Sequence, residues 1–220
     1  KIRMAEKFTS LFLGFDGTLI NSLYSICAAL NLTFEKYGLK RMPDDEIFQL
    51  AAYSNEIFVE KCLEILEKRL PLKKMQDKTE KDVFVKEFSA NFESLCFDQV
   101  MMFPGFAFLL ENLMLKDVKL AVFSSKPEQI TRRILAYFDA DEFFDGFFFT
   151  GQKDCRICLP PAFEVEKTLF AGCFDWEFEL MKKNGFAVCK VKNPLMEEFF
   201  SSRFKCDFYA EKPADLLSFF

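Results

Sequence analysis

Short apolar segments of strand length alternate with longer amphipathic segments along the second half of this 220-residue chain, after the Pro104-Gly105 turn. This alternation is typical of a parallel sheet whose strands are connected by helices. An earlier apolar segment, residues 7–15, predicts a buried first strand that ends in a tight turn at Asp16-Gly17. The sequence therefore predicts an α/β fold. The predicted strands span residues 7–15, 118–124, 147–150, 169–172, 187–191 and 207–210, and the helices between them span 106–115, 128–137 and 176–184.

Between the first two predicted strands lies a block in which apolar residues recur at the spacing of helices. The predicted helices of this block span residues 22–37, 43–70 and 82–97. Ser22 is a candidate N-cap of the first helix and Gly38 a candidate stop signal after it. We therefore expect residues 22–97 to form a helical domain inserted into an α/β domain made of residues 1–21 and 98–220.

The composition excludes several kinds of chemistry. The chain contains no histidine, which excludes Ser-His and Cys-His nucleophile pairs and histidine metal ligands. Acid, base or metal chemistry must therefore use carboxylates, lysine, cysteine or tyrosine. The formal net charge is −5 and there is no long basic run, which argues against nucleic acid or an anionic membrane surface as the partner.

The cysteine and apolar patterns predict a cytoplasmic protein. Eight cysteines are scattered along the chain, several in apolar helical or strand segments where a free thiol behaves as a small hydrophobic group, and we interpret them as reduced. Cys155 and Cys158 form one Cys-x-x-Cys pair, which supplies only two of the four ligands of a structural zinc ion. The longest apolar stretches fall far short of the ~20 residues that span a bilayer, so no membrane segment is predicted.

Four separated segments of the chain form an ordered set of candidate motifs. They are residues 11–22 (Leu-Phe-Leu-Gly-Phe-Asp-Gly-Thr-Leu-Ile-Asn-Ser), 103–105 (Phe-Pro-Gly), 120–127 (Leu-Ala-Val-Phe-Ser-Ser-Lys-Pro), and 169–172 (Leu-Phe-Ala-Gly) with Glu177 and Gly185. In this order the chain resembles the haloacid dehalogenase superfamily, and within it the phosphoglycolate phosphatase-like group. The resemblance covers nearly the whole chain. It implies a Rossmann-like parallel sheet core with an inserted α-helical cap, and a phosphatase of small phosphorylated molecules that uses Mg²⁺.

The first motif of the family is Asp-x-Asp-Gly-Thr at the end of the first strand. Residues two apart on a strand point to the same side, so the first carboxylate can attack phosphorus while the second acts as acid and base. By resemblance Asp16 takes the acid–base position and Thr18 binds phosphate, but Gly14 stands at the position of the nucleophile. This predicts a catalytically impaired or inactive homologue. The alternative is an active phosphomonoester hydrolase in which Asp16 is itself the nucleophile, with Thr18 two residues on.

The second motif of the family is a serine or threonine after the next core strand, and its hydroxyl binds the phosphoryl group. Ser124 matches this position and is followed by Ser125, which the resemblance also assigns to phosphate binding, and by Lys126-Pro127. Taken alone, Ser124 is also compatible with a helix N-cap before Pro127. Considered with the other segments, the second motif is intact.

The third motif of the family is a lysine that precedes a proline and neutralises the phosphate. Leu159 stands at that place in this chain, so the matching lysine is absent. Lys153 and Arg156 are the candidates to replace it, and Lys153 is assigned to the predicted catalytic site. The other interpretation of Lys153 is a solvated loop charge.

The fourth motif of the family is Gly-Asp followed by another aspartate, and its carboxylates hold Mg²⁺ through oxygen. Here the residues are Gly172, Cys173 and Glu177, with Asp175 nearby. Cys173 is a poor ligand for a hard cation. The resemblance leaves Asp16, Asp175 and Glu177 as the metal candidates, and it predicts weakened Mg²⁺ binding.

These motifs together predict a haloacid dehalogenase-like homologue of the phosphoglycolate phosphatase type. Its expected partner is a small phosphorylated molecule, retained by a phosphate pocket with little or no turnover. Neither nucleic acid nor a membrane is expected as a partner.

Overall fold

The computed structural model of the protein describes residues 8–69, 78–150, 155–199 and 202–220. The chain divides into two compact units. One combines Lys1–Asn21 with Met102–Phe220, and the other is Ser22–Met101. The boundaries expected from the sequence follow residues 21 and 97.

The first unit contains a six-stranded sheet in which every pair of neighbouring strands is parallel. Its spatial order is β5-β4-β1-β6-β7-β8. The α/β class and the Rossmann-like parallel sheet predicted from the sequence are therefore confirmed. The strands are β1 (Ser10–Gly14), β4 (Lys119–Ser124), β5 (Gly146–Phe149), β6 (Thr168–Gly172), β7 (Ala187–Val191) and β8 (Phe208–Ala210), and the short strands β2 (Ile20–Asn21) and β3 (Met101–Met102) form a separate two-stranded sheet.

Strand β1 lies near the middle of the sheet, between β4 and β6. All five residues of β1 and all five of β6 are buried, as expected for parallel strands covered on both faces. Gly14 lies opposite Phe123 of β4, and Leu13 lies opposite Ala171 of β6. The carboxyl ends of the three strands therefore meet at one edge of the sheet, where ligands of α/β proteins bind.

The helices of the first unit follow the amphipathic segments of the sequence. In α6 the buried residues Ile130, Thr131, Ile134 and Leu135 recur at helical spacing. The last helix was not predicted from the sequence. It begins at Pro194, and the side chain of Asn193 accepts a hydrogen bond from the backbone N–H of Leu195 at 3.2 Å. The helices are α5 (Phe106–Leu115), α6 (Glu128–Tyr137), α7 (Asp175–Lys183) and α8 (Pro194–Phe199), and three 3₁₀ helices span Asp141–Phe143, Val165–Lys167 and Pro213–Phe219.

The second unit is helical. Buried polar side chains hold its parts together: the Asn31 amide bonds both backbone groups of Met42, at 2.7 and 3.0 Å, and Asn91 donates to Thr33 at 2.9 Å. Gly38 follows the first helix with φ +71°, in the left-handed region that glycine adopts at little cost. The helices are α1 (Leu23–Lys36), α2 (Asp44–Ala51), α3 (Asn55–Arg69) and α4 (Lys78–Leu95).

None of the helices in the described residues combines the length and apolar character needed to cross a membrane. The eight cysteines carry free thiols, and all are buried except Cys155 and Cys158.

Candidate functional site

The turn after β1 is held in place from two sides. Gly17 has φ +71°, and a methyl group on it would lie 2.6 Å from Cys173 Sγ and 2.7 Å from the Phe174 ring. Only glycine fits this backbone, because it needs both a left-handed conformation and close approach to the segment after β6. On the other side, the Gly17 carbonyl accepts a hydrogen bond from Asn193 at 2.9 Å. These contacts position Asp16 and Thr18 at the carboxyl end of the sheet.

A carboxyl group lies beside the position where the family has its nucleophile. A Cβ atom at position 14 would be 3.3 Å from Glu177 Oε2, 3.4 Å from Glu177 Oε1 and 3.2 Å from Thr18 Oγ1. Glu177 Oε2 would also lie 2.9 Å from a Cβ at Gly172. The Glu177 carboxyl thus occupies the space between two glycines, one at the end of β1 and one at the end of β6.

Burial makes Glu177 a weak acid. Its side chain is 2% exposed, and desolvation raises the pKa to about 8, with a smaller contribution from the negative charge of Asp16. The Phe174 N–H donates to Glu177 Oε2 at 3.4 Å, and hydrogen bonds from the backbone of Phe174 and Cys173 lower the pKa and offset part of the shift. Near neutral pH the carboxyl is therefore mostly protonated.

Cys173 stands where the fourth motif has an aspartate. Its thiol is buried and lies 3.8 Å from the Asp16 carbonyl, to which it donates. Burial first and the Glu177 charge second raise the pKa of this thiol well above its usual value, while the Thr18 hydroxyl lowers it. Position 173 therefore holds a neutral thiol. The neighbouring Thr18 Oγ1 is buried and has no hydrogen-bond partner of good geometry among the described residues.

Asp16 forms an ion pair with a lysine to which the sequence analysis gave no role. Lys126 Nζ lies 2.8 Å from Asp16 Oδ1, and the two side chains are only 10% and 18% exposed. Lys126 comes two residues after Ser124 in the second motif, so its presence in that segment was the available signal. The pairing itself joins two parts of the chain that only the fold brings together.

Ser124 lies at the end of β4 with its hydroxyl buried. Its Oγ accepts a hydrogen bond from the backbone N–H of Lys126 at 3.1 Å and shares another with Thr131 Oγ1 at 2.9 Å. Helix α6 begins at Glu128, and the residue before it is Pro127, so Ser124 is not its N-cap. Ser125 follows half-buried. The phosphate-binding roles of both serines stay predictions.

The remaining predicted site residues lie elsewhere or outside the described residues. Asp175 accepts hydrogen bonds from Ser202 Oγ and, at 2.9 Å, from the backbone N–H of Arg203, so its carboxylate is engaged with the segment before β8. Lys153 lies outside the described residues. Arg156, the other candidate for the missing lysine, is exposed.

Two of the three residues that the resemblance assigns to Mg²⁺, Asp175 and Glu177, do not fit that ion, and the third, Asp16, is paired with Lys126. Among the described residues, no group of three or more histidine, cysteine, aspartate or glutamate side chains is arranged to hold a metal. Mg²⁺ needs oxygen ligands, whereas Cys173 offers a neutral thiol, Glu177 is mostly protonated, and Asp175 bonds another segment.

Comparison with known proteins agrees with the motifs. The model of the haloacid dehalogenase-like hydrolase family matches residues 12–156. Phosphoglycolate phosphatase of Aquifex aeolicus is 27% identical over 183 residues, which cover 77% of this chain and 78% of that protein. Phosphoglycolate phosphatase of Haemophilus influenzae (strain 86-028NP) is 26% identical over 180 residues, covering 77% and 79%.

Solved structures share the fold. The crystal structure of a predicted phosphoglycolate phosphatase from Haemophilus somnus 129pt superposes with a TM-score of 0.78 at 20% identity and covers 97% of this chain and 98% of that one. A haloacid dehalogenase-like family protein from Streptococcus pneumoniae gives a TM-score of 0.73 at 16% identity, with 96% and 98% covered. At these identities the similarity concerns the fold.

Proposed function

The chain belongs to the haloacid dehalogenase-like hydrolase family, and we propose that it is a phosphoglycolate phosphatase-type homologue that binds a small phosphorylated molecule without hydrolysing it through a phosphoaspartate. The names of its curated relatives support the ligand class. The residues at the ends of β1, β4 and β6 support the separation of binding from hydrolysis.

The observation that carries the proposal is the environment of Gly14. The last residue of β1 has no side chain, and its Cα faces the Glu177 carboxyl. A protonated carboxyl is a poor nucleophile, so Glu177 does not replace the missing group near neutral pH. In hydrolases whose catalytic groups act in concert, loss of the nucleophile lowers kcat by on the order of a million-fold.

Phosphate binding rests on groups that survive. The Lys126 ammonium is largely shielded from water, and the Ser124 and Thr18 hydroxyls are buried at the ends of β4 and β1. An ammonium and hydroxyls are donors that bind phosphate oxygens. These groups do not need to transfer a phosphoryl group in order to hold one.

The test uses the purified chain in two assays. Hydrolysis of p-nitrophenyl phosphate and of phosphoglycolate with Mg²⁺ should not exceed that of Asp16→Asn protein, while millimolar inorganic phosphate should raise the melting temperature. Turnover that disappears in Asp16→Asn and persists after repurification would contradict the loss of hydrolysis. The absence of any thermal shift would contradict ligand binding.

A second candidate function is hydrolysis with Asp16 as nucleophile. The 2.8 Å pairing with Lys126 favours it, because a cation beside the carboxylate would reduce its repulsion of an incoming phosphate. In that reaction an Asp16 oxygen would bond phosphorus as the bond from phosphorus to the ester oxygen breaks, and the leaving oxygen would take a proton from water. A second water would then hydrolyse the acyl phosphate and release inorganic phosphate. Acid quenching during turnover should trap a phosphorylated Asp16 if this candidate is correct, and should trap none under the first proposal.

We also propose a cytoplasmic location. The free thiols of all eight cysteines support a reducing compartment. Cell fractionation with a tagged chain would test it, and recovery in an oxidising compartment would contradict it.

A further inference from the structure

We infer that the ammonium of Lys126, rather than a divalent cation, supplies the positive charge for the bound phosphoryl group, so that ligand binding does not require Mg²⁺. The inference rests on the proposed function, because it assumes that the ligand binds at the ends of β1 and β4. It gives Lys126, which stands at none of the four motif positions, a role in ligand binding. It also makes ligand binding independent of a metal ion.

The carboxylates after β6 that could hold a divalent cation are engaged with different parts of the fold. Asp175 bonds the segment at Ser202 and Arg203, and Glu177 accepts from the Phe174 N–H inside the fold. A divalent cation that is held by protein groups alone needs several oxygen ligands directed at a common point. The described residues contain no group of three or more acidic or thiol side chains with that arrangement.

Lys126 contacts residues at the ends of both β4 and β1. Its backbone N–H donates to Ser124 Oγ at 3.1 Å, and its Nζ lies 2.8 Å from Asp16 Oδ1. The residue therefore bridges the hydroxyl at the end of β4 and the acid after β1. An anion bound at these two strand ends would lie within reach of the ammonium, which is a compact point charge suited to phosphate.

The side chain of Lys126 is shielded from water. The Lys126 side chain is 10% exposed, whereas Lys190 is 19% exposed in its pair with Glu197 and Lys182 is 42% exposed in its pair with Asp207. The attraction between opposite charges weakens as the effective dielectric constant rises. An ammonium that is shielded from water therefore binds an anion more strongly than the ammonium of a surface lysine does. Lys182 is therefore a matched control: it also forms an ion pair, but at the surface.

The two possible roles of Asp16 predict opposite effects of its removal. If Lys126 is the anchor, Asp16 partly neutralises it, and Asp16→Asn should tighten phosphate binding by about tenfold. If Asp16 instead helps to hold a metal that binds phosphate, the same change should weaken binding. The sign of the change separates the two roles.

The experiment measures binding of inorganic phosphate by calorimetry in EDTA and, separately, in Mg²⁺. The unaltered chain should bind equally in both, Asp16→Asn should bind more tightly, Lys126→Met should lose at least about tenfold in affinity, and Lys182→Met should match the unaltered chain. Because Lys126→Met leaves the Asp16 charge without this partner to repel the anion, the double variant Asp16→Asn with Lys126→Met provides a neutral pair and should bind at least about tenfold more weakly than Asp16→Asn.

Four results would overturn the inference. Binding that appears only with Mg²⁺ would leave the proposed function standing and remove Lys126 as the anchor. Binding that survives in Lys126→Met and in the double variant would have the same consequence. Weaker binding by Asp16→Asn would do the same. If the unaltered chain binds no phosphate in either condition, the proposed function fails and the inference fails with it.

Discussion

The strands on the two sides of β1 end in contrasting groups. At the end of β4, Ser124 and Lys126 present a hydroxyl and a shielded ammonium. At the end of β6, Cys173 and Glu177 present a neutral thiol and a mostly protonated carboxyl, both buried. The β4 side therefore offers donors to an anion, while Cys173 and Glu177 offer no ionised oxygen to a metal near neutral pH. In the proposed function, ligand recognition depends on the β4 side, and the loss of turnover depends on Gly14 and the β6 side.

The largest expected effect concerns turnover. Gly14→Asp alone should leave hydrolysis on the order of a million-fold below that of an intact hydrolase, although it returns a carboxyl to the nucleophile position. The new group would lie against Glu177 with no divalent cation between them, so its pKa should rise and its nucleophilicity should fall. Hydrolysis of p-nitrophenyl phosphate measures this, with Gly38→Asp as the control for adding an aspartate.

Returning a second carboxylate on the β6 side sharpens the same comparison. Gly14→Asp with Cys173→Asp should gain Mg²⁺ affinity, measured by calorimetry, before it gains rate, because two carboxylates would then face the ion. Brisk phosphatase activity from Gly14→Asp alone would show that the β6 side already suffices, and Glu177, with Lys126 or Lys153, would become a working catalytic residue.

The next effect concerns packing on the β6 side. Gly17→Ala should lower the free energy of unfolding by about 3 kcal/mol, because the added methyl group meets Cys173 Sγ at 2.6 Å in addition to a left-handed φ. Gly38 has the same φ of +71° and no atom within 4 Å of a methyl group, so Gly38→Ala should cost only about 1 kcal/mol. Urea denaturation measures both. Equal losses would show that Cys173 does not restrict the turn.

The third effect is a pH dependence specific to Glu177. Its pKa of about 8 in the folded state lies above the ordinary value of 4.5, so the native state keeps a proton that the unfolded state releases. The unaltered chain should therefore lose stability through this group as the pH rises from about 4.5 to 8. Glu177→Gln should escape that loss, so its stability relative to that of the unaltered chain should rise steadily across this window.

Urea denaturation at several pH values measures the difference between the two proteins, which should stay constant above pH 8. Glu179→Gln, in the same helix, controls for the loss of one charge. A difference that does not change with pH would show that the carboxyl beside Gly14 is ionised throughout, and the contrast between the two sides of the site would disappear.

The smallest effect tests the β4 side. Ser124→Ala should reduce the rise in melting temperature caused by millimolar phosphate, because a hydroxyl that binds the anion contributes about 1 kcal/mol. Scanning calorimetry measures the rise, and Ser89→Ala, which removes an exposed hydroxyl from α4, is the control. An unchanged phosphate effect in Ser124→Ala would remove this hydroxyl from the proposed site.

The sequence predicted most of the sheet and its helices, because their apolar spacing is strong and local. The bounds of α5, α6 and β7 match the predicted ranges. Helix α8 was missed because its six residues, beginning at Pro194, are too few to show helical spacing. The predicted strand 147–150 is shifted by one residue because Gly146, despite its low strand propensity, pairs with Ala121.

The candidate site was less predictable. Its motif residues could be located, but the Lys126–Asp16 pair and the place of Glu177 beside Gly14 depend on strands that are distant in sequence. The direction of the Asp175 side chain likewise depends on Ser202, in a segment that carries no motif.

The position of β1 in the sheet has a consequence for how the chain folds during synthesis. Ser10 pairs with Lys119 and Thr168, so both partners of β1 are made more than about a hundred residues later, after the whole helical unit. Helices rely on nearby contacts and can form early, whereas distant strand pairing is slow. At the usual rate of translation an apolar strand stays without its partners for on the order of ten seconds, and during this time aggregation competes with folding.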